Sequence, residues 1–150
     1  MELKAVKSDL VARIASPRTP SGADPVDPYL PGAGNHGYRV TRYELDLSYK
    51  VSPNNLRGEA VITATATGDR VARYTRPRGK LSITPAEPLA VGSAFTLTIR
   101  YSGNPKPIRG PWGEVGWEEL TDGVLVAGQP NGAASWFPCD DHPSAKAPFR

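Results

Sequence analysis

The residues best equipped for chemistry stand together near the end of the chain: Cys139-Asp140-Asp141-His142, bracketed by Pro138 and Pro143 and preceded by Ser135, Trp136 and Phe137. A thiol, two carboxylates and an imidazole are zinc ligands by type. Hydrolytic zinc needs about three converging protein ligands and an open fourth position, often with two histidines one helical turn apart. The chain has two histidines, His36 and His142, each alone in a loop, and no His-Glu-x-x-His. Adjacent loop side chains rarely all face one ion, and the flanking prolines stiffen the segment. A structural loop is the simpler reading.

A Cys139–His142 nucleophile pair would need the imidazole to activate the thiol. The two neighbouring carboxylates act the other way, raising the thiol pKa by like-charge repulsion. A buried packing thiol follows. Ser135 lacks the strand–turn–helix setting of a nucleophile elbow. Gly32-Ala33-Gly34 precedes the first strand instead of joining a strand to a helix, so it is no phosphate loop. Trp112, Trp117 and Trp136 could line a sugar site, yet core or interface packing accounts for them in a β-rich domain. On these grounds no residue is assigned as catalytic or metal-binding.

The elements that must position this tail are strands. A chain of 150 residues is one domain with room for a core. Its 16 prolines and 15 glycines suit short strands joined by many turns. Leu3, Val6, Leu10, Val11 and Ile14 have helical spacing, which predicts a short amphipathic helix over residues 2–15, ended by Ser16-Pro17. Residues 16–37 read as an irregular lead-in. From Tyr43 the alternation is regular: Tyr43, Leu45, Leu47, Tyr49 and Val51 on one face, Arg42, Glu44, Asp46, Ser48 and Lys50 on the other. Ser52-Pro53-Asn54-Asn55 turns the chain into a second strand, Leu56 to Thr67, and the two should form an antiparallel hairpin. Further strands are predicted at Val71–Thr75, Lys80–Thr84 (Leu81 and Ile83 inward), Ala94–Tyr101 and Gly123–Ala127, with a loop from Gly103 to Gly116. The expected fold is all-β, an antiparallel sandwich or saddle-like curved sheet. Its divisions are residues 1–24, the helix and lead-in, and 25–150, the β domain.

Composition excludes several functions. The net charge of +3 is spread along the chain, without the basic patch of a nucleic-acid binder. One cysteine allows no internal disulfide, the N-terminus does not read as a signal peptide, and no apolar run approaches a membrane span. A cytoplasmic protein without a nucleic-acid or membrane partner is expected.

Three stretches, in order, resemble the N-terminal domain of the M1 (gluzincin) zinc aminopeptidases. They are Asp27-Pro28-Tyr29-Leu30-Pro31-Gly32 through Asn35-His36-Gly37-Tyr38 to Arg42-Tyr43-Glu44-Leu45-Asp46-Leu47; Gly116-Trp117 through Asp122-Gly123; and Gln129 followed by Trp136-Phe137-Pro138-Cys139-Asp140-Asp141-His142-Pro143 and Lys146-Ala147. The third is similar to the family's Pro-Cys-x-Asp-Glu/His-Pro segment. The resemblance implies a β domain that packs on a thermolysin-like catalytic domain, with a peptide as substrate. It implies that Gln129 reaches the substrate's free amino end, beside Asn131, where the family often has a glutamate. It makes Trp136, Phe137, Cys139, Asp141 and His142 a domain-docking loop, because the aromatics and the thiol would otherwise sit in solvent. No cofactor is expected in this chain, and zinc is expected in the missing catalytic domain, so the chain by itself should not hydrolyse peptides. Against its relatives the chain reads as truncated: short by about one or two strands after Thr67, and ending at Phe149-Arg150 where they begin another strand. A reading from a different class is a non-catalytic β-sandwich module that binds a protein or sugar partner through Trp112 and the tail.

Overall fold

In a computed structural model, the structure describes residues 29–30, 33–35, 37–67, 81, 83, 85 and 87–150. The predicted helix over 2–15, most of the lead-in with His36, the strand at Val71–Thr75 and the region after Thr67 lie outside the described residues, as does most of Lys80–Thr84.

Six strands make two antiparallel three-stranded sheets among the described residues. The first sheet has the order β1-β2-β3, with β1 at Tyr38–Lys50, β2 at Asn55–Ala66 and β3 at Ala94–Gly103. The predicted hairpin is present, pairing Tyr43 with Ile62 and Tyr49 with Leu56. One irregularity interrupts it: the register shifts between Val40 and Arg42. The extra residue lets both Val40 and Tyr43 face inward, although their spacing is odd. On β2, Leu56, Ala60, Ile62, Ala64 and Ala66 are buried, the period-2 pattern of a strand with one packed face. Small alanines on this central strand leave room for the rings of its neighbours. Gly58 serves the same end opposite Tyr101, since a Cβ there would overlap the tyrosine ring.

The second sheet has the order β4-β5-β6, from β4 at Ile108–Gly110, β5 at Gly113–Glu119 and β6 at Val124–Ala127. Here the structure corrects the reading of Gly103–Gly116 as a loop. Ile108 pairs with Val115 and Gly110 with Gly113, so a tight hairpin turns at Pro111-Trp112. Its strands are too short to show a period, and their glycines resemble turn residues. Leu81 and Ile83 are not in a regular strand; Ile83 packs against the core and Leu81 is exposed.

The core joins both sheets and the tail: Val40 and Tyr43 from β1, Ile62 from β2, Ile99 and Tyr101 from β3, Trp117 from β5 and Phe137 beyond β6. Rings meet edge-on, Tyr43 with Phe137 at 5.6 Å and Tyr49 with Trp117 at 4.9 Å, the geometry that sets a positive ring edge on a negative face. Asn54 is the polar pin between the sheets. Its buried side chain accepts from Tyr49 Oη and from Trp117 Nε1, and donates to Pro105 O and Glu119 Oε2. At φ 55 it occupies the left-handed region that asparagine tolerates better than most residues. Among the described residues no helix is long and apolar enough to cross a membrane.

Candidate functional site

The loop after β6 is built around one carboxylate. Residues Ala133–Ser135 form a single 3-10 turn whose leading backbone N–H groups have no partner within the turn. Asp141 supplies it: Gly132 N–H donates to both oxygens at 3.1 and 3.0 Å, Ala133 N–H to Oδ1 at 3.2 Å and Ala134 N–H to Oδ2 at 3.4 Å. Charge-assisted bonds of this kind are stronger than neutral ones. They tie the turn to the segment that follows it.

A second clamp fixes the turn to β5. Ser135 is buried, donates from Oγ to Gly132 O at 2.6 Å and accepts from Trp117 N–H at 3.0 Å. Gly116, at φ +97, allows the approach: a Cβ there would overlap Ser135 Oγ and lie 2.7 Å from Gly132 O. Both hydroxyl functions of Ser135 are thereby used in structure, in keeping with its exclusion as a nucleophile. A third clamp ties the tail to β1. Asp140 N–H donates to Tyr43 Oη at 2.9 Å, and Asp140 Oδ2 accepts from Asn35 Nδ2 at 2.8 Å. Asn35 in turn accepts from Gly37 and Tyr38 N–H.

Cys139 is half-buried against the core. Burial pushes its thiol pKa well up, and Asp141 and Asp140 push in the same direction. The thiol stays protonated, as the flanking carboxylates suggested. His142 has Ser144 as neighbour: Ser144 N–H donates to Nδ1 at 3.2 Å and its hydroxyl lies 2.7 Å from the same nitrogen. A backbone donor at Nδ1 makes that atom an acceptor and puts the ring proton on Nε2. The Cys-Asp-Asp-His run therefore does not fit a zinc ion. One carboxylate is taken up by three backbone amides and the other is bonded to Asn35. Among the described residues no three His, Cys, Asp or Glu side chains come together to hold a metal.

The aromatics of the loop are not left in solvent. Phe137 is buried, and Trp136 packs against it with ring centroids 4.5 Å apart. The premise that Trp136, Phe137 and Cys139 would sit in solvent without a docked domain is corrected. They are covered by the domain's own sheet, because the carboxylate clamp folds the loop back onto it. Trp117 is likewise core, whereas Trp112 is 73% exposed at the tip of the β4–β5 turn. Of the two residues expected to meet a substrate, Gln129 is exposed. Asn131 is half-buried, with Oδ1 enclosed and without a partner among the described residues. The roles of Asn54, Ser135 and Asn35 were missed in the sequence. A polar residue inside a turn gives no sign of a partner tens of positions away.

No protein-family model matches the chain, and no curated protein does. Solved structures do. The chain is similar to the M1 zinc metallopeptidase from Deinococcus radiodurans, with a TM-score of 0.67 and 26% identity, covering 80% of this chain and 33% of that one. A mutant of the Deinococcus enzyme bound to a Tyr-Ser-Ala substrate is similar at a TM-score of 0.66 and 26% identity, covering 79% and 33%. A two-domain M1 zinc metallopeptidase mutant bound to L-tryptophan gives 0.65 and 25%, with 79% and 33% covered. The chain spans about a third of the length of the structures it matches. In fold, and at about a quarter of the aligned residues, the chain is similar to an M1 zinc metallopeptidase over a stretch the size of an N-terminal domain.

Proposed function

We propose that this chain is the N-terminal β domain of an aminopeptidase-like zinc metallopeptidase, and that its loop after β6 presents Gln129 to the free amino end of a peptide substrate. The observation that carries the reading is the likeness across 80% of the chain to M1 structures, one relative of which holds a tripeptide. The loop geometry supports it. Asp141 and Ser135 fix the backbone on either side of Ala133, and Gln129 stands exposed just before the fixed turn. An amide oxygen accepts from an ammonium, without the charge a carboxylate would add. Asn131, with its oxygen enclosed, shapes the loop beside Gln129. In such an enzyme a thermolysin-like catalytic domain would hold the zinc, since the described residues do not fit one. That domain, the peptide and a cytoplasmic site of action belong to the proposal.

The test is Gln129→Ala in this chain fused to an M1 catalytic domain. The reading predicts a KM raised about tenfold for peptides with a free amino end, and no change in inhibition by N-acetylated ones. An unchanged KM for the free-amino peptides would overturn it. A protein-binding module is the second reading, and the protruding Trp112 favours it. It predicts no kinetic effect of Gln129→Ala and loss of a partner with Trp112→Ala.

A further inference from the structure

The loop after β6 contains the chain's one Asn-Gly pair, Asn131-Gly132. An asparagine before glycine can cyclise, because no Cβ on the next residue hinders approach of its nitrogen. The other asparagines are held or blocked. Asn35 donates to Asp140, Asn54 bridges the two sheets, Asn55 donates to Gly103 O, and Asn104 donates to Pro53 O and precedes proline. Asn131 Oδ1 is enclosed and has no partner among the described residues, so no bond to that oxygen holds the side-chain carbonyl in place.

The fold cannot remove this weak point by changing its second residue. Gly132 has φ 136, a backbone conformation that favours glycine. A Cβ there would lie 3.1 Å from Gly116 N and 3.2 Å from the Cα atoms of Gly116 and Gly128. Glycine is therefore required where it most opens Asn131 to ring closure. What the structure supplies instead is a grip on the attacking atom. Gly132 N–H donates to both oxygens of Asp141, at 3.1 and 3.0 Å. The carbonyl end is held too, since Gly132 O accepts from Ser135 Oγ at 2.6 Å and from Ser135 N–H at 3.1 Å. An amide nitrogen must shed its proton to attack, and the adjacent carboxylate opposes the negative charge that develops.

We propose that Asn131 is a site of spontaneous deamidation gated by Asp141. When Gly132 N–H leaves the carboxylate, its nitrogen attacks Asn131 Cγ. A Cγ–N bond forms, the Cγ–Nδ2 bond breaks, and ammonia departs with the amide proton. Water then opens the succinimide, at Cγ to give aspartate or at the main-chain carbonyl carbon to give isoaspartate. Either product adds a carboxylate at the residue next to the clamped amide, like charge beside like charge. Isoaspartate also lengthens the main chain by one carbon, so the clamp does not re-form as it was. The inference does not rest on the role proposed for Gln129.

The experiment stores the folded chain at neutral pH and maps deamidation by mass spectrometry of its peptides, with the urea-denatured chain as reference. Exchange of the Gly132 amide, followed by NMR, gives the fraction of time that this N–H is free. The expected result is that folding slows deamidation of Asn131 by the same factor as it slows that exchange. Asp141→Ala should speed the reaction about tenfold, as loss of one net hydrogen bond implies. Ser135→Ala, which loosens the same turn but leaves the carboxylate on Gly132, should speed it less. Deamidation in the folded chain that outruns opening of the Gly132 amide would overturn the proposal, and this comparison decides even if Asp141→Ala does not fold. So would equal acceleration by the two variants, or a slower reaction in Asp141→Ala, the sign of a carboxylate that promotes ring closure.

Discussion

In the first sheet, burial follows alternation along β2, from Leu56 through Ala60, Ile62 and Ala64 to Ala66, and many interchangeable apolar contacts share the work. The loop from Gly128 to Asp141 has no such repeat. It is held at points: Asp141 on three consecutive amides, Ser135 between Gly132 and Trp117, and Tyr43 on the amide of Asp140. The difference teaches what each region should tolerate. A packed face absorbs changes that keep volume, whereas a clamp made of one carboxylate or one hydroxyl has no substitute of similar shape and charge.

The largest effect expected falls where the loop is clamped to β5. Gly116→Ala should cost more than about 3 kcal/mol, because the new Cβ needs both a left-handed backbone and space held by Ser135. Chemical denaturation reads it directly, and a cost below about 1 kcal/mol would show that the clamp yields. Within the sheet, Leu56→Ala should cost about 3 kcal/mol, since the side chain is fully buried, while Leu56→Met should cost under about 1.5 kcal/mol. If the conservative swap proves as harmful as the truncation, the sheet is as intolerant as the loop and the comparison fails.

Asp141→Ala should cost about 2 kcal/mol by leaving three part-buried amides without their acceptor. Loss of near-ultraviolet signal from Trp136 would accompany it. The smallest effect is alkaline. Burial raises the Cys139 thiol above its ordinary value of 9.0, and raises Tyr38 and Tyr101 from 10.0 to about 12. A folded pKa above the unfolded one contributes stability that is complete below the unfolded value and lost as pH rises. The melting temperature should therefore decline from about pH 9, and Cys139→Ala should delay that decline to about pH 10, where the tyrosines begin. A variant that melts in parallel with the parent from pH 9 would contradict the assignment to the thiol.

The same contrast explains what could be read from the residues alone. The β1–β2 hairpin was legible because Tyr43 to Val51 alternates without a break, and β3 because Phe95, Leu97, Ile99 and Tyr101 do the same. The Val40 bulge was invisible, since one extra residue changes no composition. The β4–β5 hairpin was read as loop because three-residue pairing between glycines leaves no period to detect. In the tail, residue types announced that something was built there, and Cys139 was placed rightly as a packing thiol by its charged neighbours alone. What Asp141 does was not legible. Its partners are backbone amides, which every residue but proline carries, so the sequence around them is silent.

The central claim is that Asp141 holds the loop that displays Gln129. Amide hydrogen exchange of the chain and of its Asp141→Asn variant tests it most directly. The account predicts slow exchange at Gly132, Ala133 and Ala134 in the parent, faster exchange at these three amides in the variant, and unchanged protection along β1 and β2. Fast exchange at those amides in the parent, or a variant that loses the sheet and the loop together, would contradict it.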